Sequence, residues 1–565
     1  MRLGRPQHPG GSVSNKQKQR HRSQSRTAPA AGGSPHRGFK EGFGLPDASP
    51  GSLSAQPRNE FSLRDKAVVL AVLLAIYAVA GTWGQFDFGD MMGYYTMAAD
   101  AALQGHLYIA YTPDKVNLID MIPYQGHYYL QWGPFPLLFH IAARVAGFNL
   151  SDRVASLLAG LAAAWLLLEI TLELRRRHFP DSSKALCGWF AFAFALATPT
   201  ALVAWRGTVY NESIGIAAVG ILAAFAAFLR YQRQPAGGWL LLSGASIGAA
   251  FLTRATVVFH AVPFFLAITA VNWLSRRAVR TTLLHLAVFS LPIAGAGLVQ
   301  MAYNQARFGS PLDFGLQYKP ESVTAGFKTF SLVRVPENFG HYVLSLPKVS
   351  ADFPWLDHSG WEPRVHTTFA EGMSSMLLAS PFLLLAVLLW RIWRPGSIYS
   401  RDLQLAAALA AGSGLLVFGA MLCFASASRR YMQDSTPLLT VAAFLGAATL
   451  SYQTLRRWAA PACIVVALSA LLHAHVAFYE SFRSPTPDLN VTRAFIAAAP
   501  AIREIRPGPQ LDREEAMARN DWATVLLNRR RYREALDQFT LASRLMPDSP
   551  AIERNLKLAA RLADR

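Results

Sequence analysis

Just after a first apolar run the chain reads Phe86-Asp-Phe-Gly-Asp-Met-Met-Gly-Tyr-Tyr, which sets Asp87 and Asp90 at the edge of a membrane-length segment. A carboxylate at a membrane surface, walled by Tyr and Trp, suits general-base work on a hydroxyl nucleophile. Burial beside aromatic rings would lift its pKa toward a useful range. Tyr94 supplies part of such a wall, and Tyr128, Tyr129 and Trp132 in Gly126-His-Tyr-Tyr-Leu-Gln-Trp-Gly-Pro-Phe-Pro supply the rest. A plainer use of Asp90 stays open: capping the helix that starts at Tyr94. The matching cations are Arg254 in Leu252-Thr253-Arg254 and Arg429 and Arg430 in Ser428-Arg-Arg-Tyr431. Arg at a membrane boundary is costly and tends to serve function. A guanidinium can hold phosphate through two parallel hydrogen bonds, and Tyr431 can add another. Against this, Arg429 and Arg430 can also sit on lipid headgroups, and Arg254 can snorkel. Trp205, Arg206, Tyr210, Asn211 and Glu212 read as an interfacial anchor. His341, His358 and His366 are too dispersed to argue for a metal, while Asp87 beside Asp90 leaves room for a divalent ion.

These residues need a membrane scaffold to bring them together. Of 565 residues, 52% are apolar and 16% are charged. Soluble domains carry about 25% charged residues, which argues against a soluble enzyme. The net charge of +19 fits cytoplasmic loops and does not require a nucleic-acid partner. Cys187, Cys423 and Cys463 lack metal or disulfide spacing. An all-α polytopic chain of about eleven transmembrane helices is expected, over 67–84, 153–174, 186–204, 212–229, 238–253, 255–274, 283–303, 373–392, 403–424, 436–454 and 459–479. Arg clusters follow every second span, which places the N-terminus in the cytoplasm and the C-terminus outside, on the periplasmic face of an inner membrane. The order of spans requires Pro134–Phe148 to lie along the surface as an amphipathic helix. Two long outer loops result, 85–149 and 306–372. Residues 1–64 read as a disordered basic cytoplasmic tail that fixes orientation, with Lys16–Arg26 able alternatively to bind anionic lipid or nucleic acid. Residues 65–480 read as the membrane domain and 481–511 as a linker.

Residues 512–565 form a charged helical domain. Trp522, Ala523, Leu526, Tyr532, Ala535, Phe539, Ala542 and Pro547 have the spacing of a tetratricopeptide repeat. One unit cannot bury its own apolar face, so it must pack on the membrane domain or on a protein partner.

The series Asp90-x-x-x-Tyr94, Leu103-x-Gly105, Tyr124-x-Gly126-x-Tyr128-Tyr129 and Gly133-Pro134-x-Pro136 resembles the first outer loop of GT-C glycosyltransferases, of the protein O-mannosyltransferase and lipid A aminoarabinose transferase type. Leu252-Thr253-Arg254, Tyr303-Asn304, Phe308-Gly309-Ser310-Pro311 and Arg430-Tyr431 with Asp434 and Pro437 agree in order. The resemblance implies Asp90 as catalytic base and a polyprenyl-phosphate sugar as donor, with transfer to a protein, lipid or glycan acceptor outside the cytoplasm. It implies inversion by direct displacement, and no cofactor is required. The chain departs where the aminoarabinose type has Lys-Pro-Pro, having Gly133-Pro134-Phe135-Pro136 instead, and where Met91 replaces a Glu after Asp90. The alternatives are a transporter or lipid flippase, which would carry mid-span charges and inverted halves, and a non-catalytic envelope assembly factor.

Overall fold

The computed structural model describes residues 61–109, 121–319, 328–351, 353–358, 365–367, 369–371, 374–482 and 488–564. The expected basic tail lies outside these residues except for 61–64. Those four belong to a helix start: Ser62 and Asp65 form a reciprocal capping box that opens α1 (Leu63–Thr82).

The membrane domain continues through α2 (Tyr94–Leu103), α3 (Phe135–Val145), α4 (Asp152–His178), α5 (Lys184–Leu196), α6 (Pro199–Trp205), α7 (Val209–Arg233), α8 (Gly237–Phe251), α9 (Ala261–Leu274) and α10 (Val279–Phe308). After the second outer loop come a helical run over Pro381–Trp393, α11 (Arg401–Leu422), α12 (Thr436–Ala448) and α13 (Tyr452–Phe482). All eleven expected segments are helical wholly or in part. Among the described residues six helices are long and apolar enough to cross a membrane, or seven if α5 and α6, bent by 59° at Pro199, form one span. The helices α8, α12 and Pro381–Trp393 are apolar but shorter. Pro199 sets the bend because it cannot donate a backbone hydrogen bond back into α5. Buried Phe190, Phe194, Phe225, Phe228 and Phe444 sit at the centre of the main apolar core.

The first outer loop carries α2, a two-stranded hairpin and α3. Strands β1 (Met121–Tyr124) and β2 (His127–Leu130) pair antiparallel through a two-residue turn. Gln125 and Gly126 both have positive φ, 50° and 78°, as the tight hairpin turn matching strand twist requires. At eleven residues α3 is too short to span. It presses His140 inward and leaves Leu138, Phe139 and Val145 exposed. The second outer loop ends in the segment Phe369–Ala370, which pairs in parallel with Ser426–Ala427 just ahead of Arg429.

The stretch expected to be a linker, 481–511, is instead largely helix: α14 (Leu489–Ile505). Val491, Phe495 and Ala499 recur every four residues and are buried, the apolar stripe of an amphipathic helix. Arg503 joins α14 to α15 (Pro509–Asn528) through Asp512 and Glu515, at 2.9 and 2.5 Å. Then α16 (Tyr532–Leu545) and α17 (Pro550–Ala563) pack Ala535, Phe539 and Ala559 against Ala523 and Leu526. Phe495 stacks on Phe353 of the second loop at 5.1 Å, and Asn490 Nδ2 donates to the Asp87 carbonyl of the first at 2.8 Å. The helix α14 therefore touches both long loops.

Candidate active site

Asp90 does not cap α2. Its carboxylate accepts the Asp152 amide at 3.0 Å and Asn149 Nδ2 at 2.9 Å, so it serves the N-terminus of α4. Asp152 returns the favour: its carboxylate accepts the amides of Met91, Met92 and Gly93 at 2.8, 2.8 and 3.1 Å, just ahead of α2. Each acid thus sits at the positive end of the other strand's helix, where exposed N–H groups favour anions. Ser151 donates to the Phe88 carbonyl at 2.5 Å. The Asp90 side chain stays exposed despite these bonds. The Asp87 carboxylate accepts the Gly89 amide at 3.0 Å and turns the loop.

Arg429, Arg430 and Tyr431 open a short 3-10 helix that ends at Asp434. Arg430 pairs with Glu371, which also accepts the Ser428 hydroxyl. The Arg430 guanidinium lies 3.9 Å from the Tyr210 ring. Tyr210 meets Trp132 edge to face at 4.9 Å, and Trp132 lies 6.5 Å from Tyr94. An aromatic wall thus runs from the first loop to the cations. Arg254 reaches the same segment, with Nε donating to Asp434 at 2.7 Å and its guanidinium 4.5 Å from the Tyr431 ring.

Arg429 is different. It is fully buried, and none of its three guanidinium nitrogens has a hydrogen-bond partner within the described protein. Burial pushes its pKa down to about 10, with Glu480 opposing the shift, so it remains charged at neutral pH. A buried charge without a hydrogen-bond partner costs several kcal/mol, so this side chain calls for an explanation.

Tyr128 packs with the Tyr94–Trp132 cluster, whereas Tyr129 faces the other side of β2. There it meets Phe308 at 5.4 Å and Tyr124 at 6.5 Å, away from Asp90's wall. The alternation of a strand separates these adjacent tyrosines. The turn expected to anchor at the interface is instead interior. Trp205, Arg206, Asn211 and Glu212 are buried, Arg206 pairs with Glu480, and Glu212 with His140 at 2.7 Å. The helix bend at Pro199 brings this turn under the loops rather than into lipid headgroups. Gly133 explains one departure from the resemblance. A Cβ there would lie 1.9 Å from the Leu252 carbonyl, so no Lys fits, and the backbone instead braces the Arg254 boundary.

Glu371, Asp434, Asn149 and Asp152 are hydrogen-bond or ion-pair partners of the expected site residues that residue type alone does not flag, because each meets a group far away in sequence. The Ser151-Asp152 pair at a helix start was the one local signal. Arg307, buried between Tyr303 and Phe308 at 3.8 and 4.6 Å, donates to the Leu130 carbonyl at 2.7 Å and ties α10 to β2. Among the described residues no three His, Cys, Asp or Glu side chains gather as a metal site.

No family model and no curated protein matches the chain. Among solved structures, ArnT from Cupriavidus metallidurans bound to undecaprenyl phosphate is similar at 15% identity and a TM-score of 0.42, over 88% of this chain and 76% of that one. The apo oligosaccharyltransferase of Archaeoglobus fulgidus is similar at 14% identity and a TM-score of 0.39, over 78% of this chain and 58% of that one.

Proposed function

We propose that the chain is a GT-C type glycosyltransferase of about eleven spans that moves a sugar from a polyprenyl-phosphate donor to an acceptor hydroxyl on the extracytoplasmic face. Contacts of α14 with both long loops are in keeping with eleven crossings, and the Arg clusters set the N-terminus inside. Asp90 takes the acceptor proton, the acceptor oxygen attacks the anomeric carbon, and the bond to the phosphate oxygen breaks with inversion. Polyprenyl phosphate leaves with the bonding electron pair. Arg429, with Arg254, Arg430 and Tyr431, meets its developing charge. Asp87, Tyr94, Tyr128 and Trp132 line the acceptor side, and Tyr129 holds the hairpin behind them. The C-terminal tetratricopeptide-like helices give a protein partner a surface.

Arg429 carries this reading: a buried, charged guanidinium with no partner among the described residues, on the segment that the aromatic wall joins to Asp90's loop. In a transporter the costly charges would lie along a mid-span path; in α4 the buried charges Asp152, Arg153, Glu173 and Arg175 lie at the two ends of the helix. Asp90→Asn keeps an oxygen to accept the Asp152 amide, so the chain should fold and express while transfer in cells falls by about 10²–10⁴. Retained transfer at wild-type rate would remove Asp90 as base.

A further inference from the structure

The ion pair of Arg153 and Asp488 lies behind the Asp90 loop and plays no part in the chemistry above. It is 2.6 Å long, with the two side chains 7% and 1% exposed. A pair so buried is held for geometry, since its Coulomb energy barely repays desolvation. Arg153 follows Asp152 directly, in the first turn of α4 that carries Asp90's hydrogen bonds. Its second nitrogen donates to the Gly81 carbonyl at 2.9 Å, near the end of α1 where the loop begins. Asp488 is the N-cap of α14, accepting the Asn490 amide at 2.9 Å. Asn490 in turn holds the Asp87 carbonyl.

The Asp87–Gly93 loop is therefore fastened on two sides. The N-terminus of α4 holds Phe88, Asp90 and the amides of Met91 to Gly93. The N-terminus of α14 holds Asp87 directly and holds α4 through Arg153. Without the second fastening, the loop is tied only to a helix end, which is the part of a helix that frays first.

We infer that Asp488 is a positioning residue: the N-terminus of α14 sets the place of Asp90 through Arg153 and Asn490, so the C-terminal helices complete the active site rather than merely follow it. The catalytic meaning rests on the proposed function; the fastening itself does not. Amide hydrogen exchange on the full-length protein in detergent tests it. In Asp488→Asn, which keeps the cap and removes the charge, the amides of Gly89, Met91, Met92 and Gly93 should exchange about tenfold faster or more. The central turns of α7 should be unchanged, and Asp488→Glu should recover part of the protection. Asn490→Ala, which removes only the Asp87 contact, should loosen the same four amides less. If Asp488→Asn loosens all spans alike, Asn490→Ala decides the matter. Unchanged exchange at those four amides in Asn490→Ala and in a folded Asp488→Asn would overturn the inference, whatever Asp90→Asn does to transfer. Where transfer is measured, Asp488→Asn should lower kcat and leave the donor KM in place, because the cations are untouched. A raised KM with unchanged kcat would also overturn it.

Discussion

The first outer loop and the Arg429–Asp434 segment treat charge in opposite ways. In the loop, the acid Asp90 is exposed yet has its oxygens on a backbone amide and a side-chain amide. In the segment, Arg254 and Arg430 are spoken for by Asp434 and Glu371, while Arg429 is buried and has no hydrogen-bond partner among the described residues. The difference matches what the proposed reaction would ask of each side. A base must meet an acceptor arriving from water, so it stays open and is aimed by bonds it can keep. A phosphate site must attract a diester out of the bilayer surface, so its charge is desolvated and left for the ligand to satisfy.

Breaking the segment should have the largest effect. Arg429→Gln should lower retention of undecaprenyl phosphate in native mass spectrometry by roughly tenfold to a hundredfold, the worth of one charged hydrogen-bond partner. Arg429→Lys should keep part of it, losing the planar fork but not the charge. Equal retention by wild type and Arg429→Gln would leave the buried cation without a ligand role.

A smaller effect should come from the carboxylate that competes for Arg430. Glu371→Gln should raise retention of the same lipid roughly fivefold, equivalent to about 1 kcal/mol. A drop instead would mean that Glu371 aims Arg430 for the donor rather than competing with it.

The join between the two regions can be tested at Gly133. Gly133→Ala drives a methyl into the Leu252 carbonyl and should cost about 1–3 kcal/mol of stability, seen as a lower melting temperature. Unchanged melting would mean that the two segments are free to part.

The smallest effect belongs to His358, which bonds Ser374 at 2.8 Å and His475 at 2.9 Å. Burial, with Arg429 and His475 adding to it, pushes its pKa down to about 3. Between about 6.5 and 3 the unfolded ring binds a proton that the folded ring refuses, so stability is lost as pH falls through that window. His358→Gln should flatten the melting-temperature curve between pH 6.5 and 5; an unaltered slope would show that His358 does not titrate this way.

The sequence made the apolar helical segments and the two charged regions legible, because apolar runs and their cationic flanks are local signals. Asp90, Arg254 and Arg429 to Tyr431 were visible for the same reason. Their partners were not. Glu371 lies 59 residues from Arg430 and Asp434 lies 180 from Arg254, distances over which no periodicity reports. The helix α14 was hidden by its setting. Its stripe of Val491, Phe495 and Ala499 is short and follows polar residues, so composition suggested a tether. Tyr128 and Tyr129 looked equivalent until the strand turned them to opposite faces. The anchor turn at Trp205–Glu212 was misplaced because a bent helix pair is indistinguishable in sequence from a straight span.

One measurement bears most directly on the central claim. Lipids and envelope glycans from a deletion strain, and from that strain carrying wild type or Asp90→Asn, can be compared by mass spectrometry. The deletion strain should accumulate one polyprenyl-phosphate-linked sugar and lack that sugar in a single envelope product. Wild type should reverse both changes and Asp90→Asn neither. An unchanged lipid pool with intact glycans, or full rescue by Asp90→Asn, would contradict the account.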